Sequence, residues 1–267
     1  MNLVLVDRDE LAPDGTVRLA DRRAQMLRDV LGVRAGQEVR AGVVGGGLGA
    51  ATVLADDGTS IDLRLTLTAP PSTPLPIELV LAVPRPKVLT RVLETAAAFG
   101  VARIDLTNAW RVDKSYLASP RLAPDALAEA LRLGAEQGAT THVPPIAVHA
   151  RLMGLLDNWP RGESIPAGPR PEDRPHPTPR GSLAGSSTAP AKLIAHPGAP
   201  PIEHAQLAWP LVLAIGPEGG WIQRELDTFV ERGFQPVSLG APILRVEAAV
   251  AAALGQLLLL QRHRTSL

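Results

Sequence analysis

The sequence predicts an α/β protein built on a parallel sheet and preceded by a small β-rich barrel. Three observations predict it. From Ile77 onward, short apolar runs alternate with amphipathic helical stretches, the pattern of strands joined by crossover helices. Before residue 70, short strand-like runs are separated by turn signals and hold a single helix. Between the halves lies Ala69-Pro-Pro-Ser-Thr-Pro-Leu-Pro76, whose prolines favour extended geometry and read as a stiff linker. Domains are therefore expected over 1–70 and 77–267.

In the first unit, strands are expected at Leu3–Val6, Glu38–Val44, Gly49–Leu54 and Ile61–Leu67; the last alternates apolar and polar residues strictly. Arg22–Leu31 reads as a helix because Ala24, Leu27, Val30 and Leu31 recur at helical spacing, with Gly32 just past its end. Gly45-Gly-Gly47 and Asp56-Asp-Gly58 mark turns.

In the second unit, strands are expected at Ile77–Val83, Val101–Thr107, Lys192–Ala195, Leu211–Ile215 and Pro236–Leu239. Helices are expected at Lys87–Phe99, Pro124–Gln137, Ile222–Arg232 and Arg245–Arg262. Gly100 and Gly233 stand past two of them, and Pro124 opens another. Ile146-Ala-Val148 heads a short segment to Trp159. Residues 160–190 are rich in Pro, Gly, Ser and Arg and nearly free of apolar side chains. Too little surface is there to offset ordering entropy, so a disordered insertion is expected.

Composition narrows the function. The 267 residues carry 27 basic and 27 acidic side chains, so bulk charge announces no nucleic-acid partner, although a local basic face is compatible with it. The absence of Cys excludes disulfides, thiolate nucleophiles and thiolate metal sites. The histidines are scattered without ligand spacing, so no metal site is expected. The start lacks the pattern of a signal peptide, and the apolar run Ala248–Leu260 is too short to span a bilayer. A soluble cytoplasmic protein without a membrane partner is expected.

Two glycine turns carry the chemistry. Ile215-Gly-Pro-Glu-Gly-Gly-Trp221 follows an apolar strand and precedes a helix. Leu239-Gly-Ala-Pro-Ile-Leu-Arg-Val-Glu-Ala-Ala249 opens into an Ala-rich helix. Such turns let backbone N–H and C=O groups approach a ligand closely. In open α/β sheets that ligand sits outside the carboxyl ends of the strands. The first loop lacks the Lys-Ser/Thr of a phosphate-binding loop, and Glu218 would repel phosphate, so an electropositive ligand such as a sulfonium suits it better. A plain strand–helix turn has the same local signature. Arg245 is not explained by helix electrostatics, because a cation opposes the dipole at a helix start; Glu247 is favourable there. The Ala-rich face permits a close helix–helix contact within the chain or between subunits. His196-Pro197 lies at the same expected sheet edge.

These residues resemble the RsmE family of the SPOUT superfamily. The resemblance rests on Leu213 to Trp221, Gly233-Phe234, and Val237 to Ala248, with weaker echoes at Ala195-His-Pro197, Gly134-Ala-Glu-Gln137 with Val143-Pro144, and Val30-Leu31 with Gly36. It covers nearly the whole chain apart from the insertion. It implies a PUA-like barrel followed by an α/β domain closed by a C-terminal trefoil knot. It implies S-adenosylmethionine-dependent methylation of N3 of a uridine in 16S ribosomal RNA of the small ribosomal subunit, by a homodimer. The cofactor pocket would comprise Ala195, His196, Ile215, Gly216, Pro217, Glu218, Gly219, Gly220, Leu239, Gly240, Ile243 and Leu244. Arg245 and Glu247 would face the methyl-transfer site. RNA contacts would come from Arg22, Arg23, Arg28 and Arg111, with Arg18 and Arg34 as further candidates.

The chain departs from the family on its polar, RNA-side positions. Met26 and Gly32 stand where a His and an Arg are usual, Thr95 and Ala98 where a Lys and a Glu are usual, and Thr140 where an Arg is usual. Val246 and Ala248 replace two threonines. A competing reading is a non-catalytic RNA-binding or ribosome-assembly protein of the same fold, or a methyltransferase for another RNA.

Overall fold

The computed structural model describes residues 2–157 and 190–265. The insertion expected over 160–190 lies, up to residue 189, outside the described residues. The chain opens with β1 (Val4–Val6), β2 (Thr16–Leu19), α1 (Arg22–Asp29), β3 (Glu38–Val43), β4 (Leu48–Asp56) and β5 (Ile61–Ala69). Their five-stranded sheet runs β1-β3-β4-β5-β2, with β1 parallel to β3 and the other neighbours antiparallel. The end strands β1 and β2 are not paired with each other, so the expected barrel remains open on that side. Alternation places Ile61, Leu63 and Leu65 of β5 on the inner face, where Ala24 and Leu27 of α1 meet them and Val4, Val6, Val17 and Leu19. Asp21 caps α1 by accepting the Arg23 backbone N–H. The helix is shorter than its periodicity predicts. Val30 and Leu31 are exposed beyond it, and Gly32 turns the chain at φ +59°.

The second unit holds β6 (Leu75–Ala82), α2 (Pro86–Ala98), β7 (Val101–Thr107), α3 (Lys114–Leu117), α4 (Pro124–Gly138), β8 (Ile146–His149) and α5 (Leu152–Asp157). After the undescribed stretch come β9 (Ala191–Ala195), β10 (Leu211–Ile215), α6 (Gln223–Glu231), β11 (Gln235–Val237) and α7 (Val246–Thr265). All neighbours in the order β11-β9-β10-β6-β7-β8 are parallel. Every residue of β10 is buried, as expected for a strand covered on both faces. Helix α2 packs on α4 and α7. The α2–α4 contact is backbone to backbone: a Cβ on Gly134 would lie 2.2 Å from the Glu94 carbonyl oxygen, and one on Gly138 2.3 Å from that of Ala98. No described helix is long and apolar enough to cross a membrane.

The expected linker is not a free spacer. Strand β6 already begins at Leu75. The Ser72 N–H donates to Thr141 Oγ1, and the Thr141 N–H donates to Ser72 Oγ, both at 2.9 Å. The seam between the sheets centres on α4. Leu3 and Leu5 are buried with Ala135. Arg22 pairs with the buried Glu136 at 2.9 Å, and Arg132 Nη2 donates to the Leu5 carbonyl at 2.6 Å.

Arg23, expected at RNA, is instead a buried structural residue, 5% exposed. It pairs with Glu10 and Asp21 and donates to the Leu5 carbonyl at 2.8 Å. Arg22 is committed to Glu129 and Glu136, Arg28 to Asp56, and Arg18 to Asp57 and Asp62. The sequence shows each guanidinium but not its acidic partner, and a paired guanidinium has little charge left for a phosphate.

The Arg23 cluster sets a pH dependence. The Arg23 hydrogen bonds hold the Glu10 carboxyl below its ordinary range. Burial of Asp21 works the other way, but its hydrogen bonds from Arg23 outweigh that and hold it low as well. Carboxyls lowered in the folded state add stability that is full above their unfolded pKa and is lost as pH falls through the folded values. Arg23→Leu is expected to cost on the order of 2 kcal/mol at neutral pH, less than a fully buried pair because both acids keep part of their hydration. The gap to wild type should shrink below the ordinary carboxylate range. Urea denaturation at a series of pH values reads it; a constant gap would mean that Arg23 acts through packing alone.

Candidate functional site

The register of three parallel strands builds the site. Leu213 of β10 lies beside Leu193 of β9, and Val237 of β11 beside Ala195, so all three carboxyl ends open onto one edge. The loops leaving there, with the first turns of α7, enclose a cleft of about 410 Å³. Its walls include Ala195 and His196 after β9, Ile215, Gly216, Pro217, Glu218, Gly219 and Gly220 after β10, and Leu239, Gly240, Ile243 and Leu244 after β11. The structure therefore brings all of the expected pocket residues to one place. Arg111, Pro197, Trp221, Ser238, Pro242, Val246 and Ala249 also line it. Ala249 follows Val246 by three positions, so helical spacing could have found it.

Each loop is held by neighbours. After β10, the Gly220 N–H donates to the Pro217 carbonyl at 2.7 Å, and Gly220 sits at φ +68°. One Glu218 carboxylate oxygen accepts the Arg85 backbone N–H at 2.9 Å. The Arg111 guanidinium donates to the Gly219 carbonyl. Glu225, in the first turn of α6, accepts the Trp110 N–H at 2.7 Å and the Ile222 N–H at 3.0 Å. The loops after β6 and β7 thus brace the loop after β10. After β11, Gly240 adopts φ +138°, and Gln256 of α7 donates to the Leu239 carbonyl at 3.0 Å. The His196 N–H is tied to Val237 at 2.9 Å.

Trp221 forms part of the wall. Its ring meets Phe229 edge-on at 4.9 Å, and Phe229 meets Phe234 in the same way. The Trp221 indole N–H is buried and has no hydrogen-bond partner among the described residues. A Cβ on Gly216 would lie 3.1 Å from it, and one on Gly219 would lie 3.0 Å from Arg111 Cδ. Apolar walls, a glycine cradle and an orphaned donor fit a small organic ligand with a polar group. No metal-holding cluster of His, Cys, Asp and Glu occurs among the described residues.

Arg245 and Glu247 are not brought into the cleft. Arg245 is exposed immediately before α7, where its carbonyl accepts the Ala249 N–H at 2.8 Å; Glu247 is half-buried in the first turn. They flank Val246, which does line the cleft. Of the arginines expected at RNA, Arg111 reaches this edge and Arg34 is exposed on the first unit.

A parallel α/β sheet with a small-molecule cleft at its carboxyl edge defines a ligand-binding α/β domain of the enzyme kind. The family described as RNA methyltransferase domain matches residues 71–258, and the chain belongs to that family. Relatives named Ribosomal RNA small subunit methyltransferase E are 27% identical in Treponema pallidum and 23% in Synechocystis, covering 95% of this chain and 89% and 76% of theirs. The fold is shared with the enzyme of that name from Neisseria gonorrhoeae, solved bound to S-adenosyl methionine, with a TM-score of 0.74, 24% identity, and 97% and 98% of the two chains covered. It is shared as well with a putative methyltransferase from Legionella pneumophila in complex with the same cofactor, with a TM-score of 0.73, 21% identity, and 98% and 97% covered.

Gly220 and Gly216 make different demands. A Cβ on Gly220 would meet nothing within 4 Å, so only its backbone angle resists substitution. Gly220→Val should therefore cost about 1–2 kcal/mol through the left-handed conformation and weaken ligand binding roughly tenfold as the loop relaxes. Calorimetric titration with S-adenosylmethionine checks it; unchanged affinity would place the pocket elsewhere.

Proposed function

We propose that the chain methylates N3 of a uridine in 16S ribosomal RNA of the small ribosomal subunit, using S-adenosylmethionine. The observation that carries this reading is the convergence of both glycine loops and His196 on one cleft of cofactor size, in a member of an RNA methyltransferase family. The names of the relatives supply the substrate class.

When bound, S-adenosylmethionine would supply an electrophilic methyl to N3 and leave as S-adenosylhomocysteine, the N3 proton passing to Glu247 or to solvent water. The loops at Ala195–Pro197, Gly216–Gly220 and Leu239–Leu244 hold the cofactor through backbone groups, which is why their side chains are small or apolar. Trp221 and Ile215 exclude water from it. Arg245, exposed at the start of α7, stabilises the charge that develops on the uracil oxygen as the proton departs. Glu247, half-buried in the first turn of α7, is the carboxylate nearest in sequence to Arg245 and would either orient it or accept the N3 proton. The target base must leave its stack to reach the cleft.

The same reading takes the first sheet as a PUA-like barrel and the C-terminal segment that ends in α7 as a trefoil knot. The resemblance to the family is what the knot rests on; α7 packs on α2 and β10, and Gln256 bonds the Leu239 carbonyl. A homodimer is also part of it. Val250, Ala253, Leu254 and Leu257 face the core, while the rest of α7 still presents Ala248, Ala251, Ala252 and Leu259. Apolar side chains left on the outward face of a helix call for cover there as well; sedimentation as a monomer would remove the dimer. Action on ribosomal RNA places the protein in the cytoplasm.

Labelled methyl transfer to small subunits lacking N3-methyluridine, mapped by mass spectrometry, tests the reading. Label at a uridine N3 is expected, and Arg245→Ala should slow it about 100-fold while cofactor affinity stays within a few fold. No incorporation beside an active relative would overturn the target, and full turnover of the variant would remove Arg245 from the mechanism.

A further inference from the structure

We infer that Trp110 is a stacking platform for a base of the substrate RNA at the rim of the cleft, with the unpaired cations of the β6 and β7 loops as its phosphate contacts. This assignment rests on the RNA methyltransferase reading and adds the surface by which RNA is positioned.

Trp110 is 79% exposed, whereas Trp221, which lines the cleft, is 4% exposed. It is the one aromatic ring left largely exposed among the described residues. The ring is not on a loose loop. Its own backbone N–H is held by Glu225 at 2.7 Å, the following residue Arg111 is bonded to the Gly219 carbonyl, and Val112 is buried. A fixed backbone thus presents a large apolar face to solvent beside the cleft wall formed by Arg111 and Gly219. Packing does not explain a ring placed so, because it buries little of its area.

The surrounding charge names the ligand. Arg85 and Lys87 follow β6, and Lys114 opens α3 just after Trp110; all three are exposed and make no ion pair among the described residues. Arg85 is placed at the cleft by the bond from its N–H to Glu218. In the first unit Arg18, Arg22, Arg23 and Arg28 are each neutralised by carboxylates; Arg8, Arg34, Arg40 and Arg64 are exposed there without an ion pair among the described residues, but residues 1–70 hold no Phe, Trp or Tyr on which a base could stack. The nearest acids are engaged as backbone acceptors, Glu225 by the Trp110 N–H, Glu218 by the Arg85 N–H and Asp113 by the Ser115 N–H, which leaves the exposed ring with cations on the neighbouring loop and helix starts to meet an unstacked base and its phosphates. A base sequence is not read by such a platform, since every base has a stacking face.

The test uses the full chain with Trp110→Ala and Trp110→Phe. Three quantities are measured: affinity for a labelled single-stranded RNA carrying the target uridine, kcat and KM for small subunits, and S-adenosylmethionine affinity. The Ala variant should bind RNA about 10–100-fold more weakly and raise KM to match, with cofactor affinity within twofold; the Phe variant should recover most of the loss. Unchanged RNA affinity and KM in the Ala variant would overturn the platform. So would a fall in kcat and cofactor affinity at constant KM, which would make Trp110 a prop for the Gly219 loop. If wild type transfers no methyl to the subunits, the proposed reaction fails, while the RNA-affinity arm still decides the platform.

Discussion

The parallel pairing of β9, β10 and β11 is the constraint on which the rest depends. Parallel strands in register must all release their chains at the same edge. Three loops far apart in sequence, after Ala195, Ile215 and Val237, are thereby forced together. Antiparallel pairing of any one would carry its glycine loop to the opposite edge and leave no cleft. The strands can be parallel only because crossovers return the chain across the sheet, residues 196–210 between β9 and β10 and helix α6 between β10 and β11, and the cost of that is a sheet apolar on both faces. The buried run Leu211-Val-Leu-Ala-Ile215 meets that requirement.

A second constraint joins the units. Helix α4 packs against α2 through Gly134 and Gly138 and faces the first sheet with Ala135, Glu136 and Arg132. One rigid element thus serves two interfaces. The seam draws on the arginines of α1 and α4, so the zero net charge conceals a division of labour. Arg22 of the first unit and Arg132 of α4 tie the two units together and Arg23 is tied within the first, while Arg85, Lys87 and Lys114 make no ion pair among the described residues. Bulk charge averages over both groups.

This division also explains what could be read from the sequence. Strands β7 and β10 were legible to the residue, and α2 and α6 to within a residue at each end, because periodicity and end signals agree there. The two glycine loops were legible because their chemistry is local, while the other wall residues came from the family resemblance. Strand β2, at four residues, and the short helices α3 and α5 were not. Elements so short owe their stability to tertiary contacts rather than to pattern. The fate of the arginines was illegible for another reason. Arg22 meets Glu136 across 114 positions, and a pairing at that separation leaves no trace in composition or period. Trp110 was passed over because exposure is a property of the folded surface.

The C-terminal helix ties these points into one argument. Val246 and Ala249 line the cleft, Val250, Ala253, Leu254 and Leu257 enter the core, and Gln256 fixes the loop after β11 through Leu239. A single helix therefore supplies a wall of the site, a share of the core and the latch on one ligand loop. Its small residues follow from that triple duty, since Ala permits close approach on every side where a larger chain would hold α7 away. Stability and cleft shape cannot then be varied independently along α7. Arg245, immediately before α7, and Glu247, in its first turn, flank the wall residue Val246 but lie outside the cleft themselves, which is the position that the proposed role of Arg245 toward a substrate arriving from solvent requires.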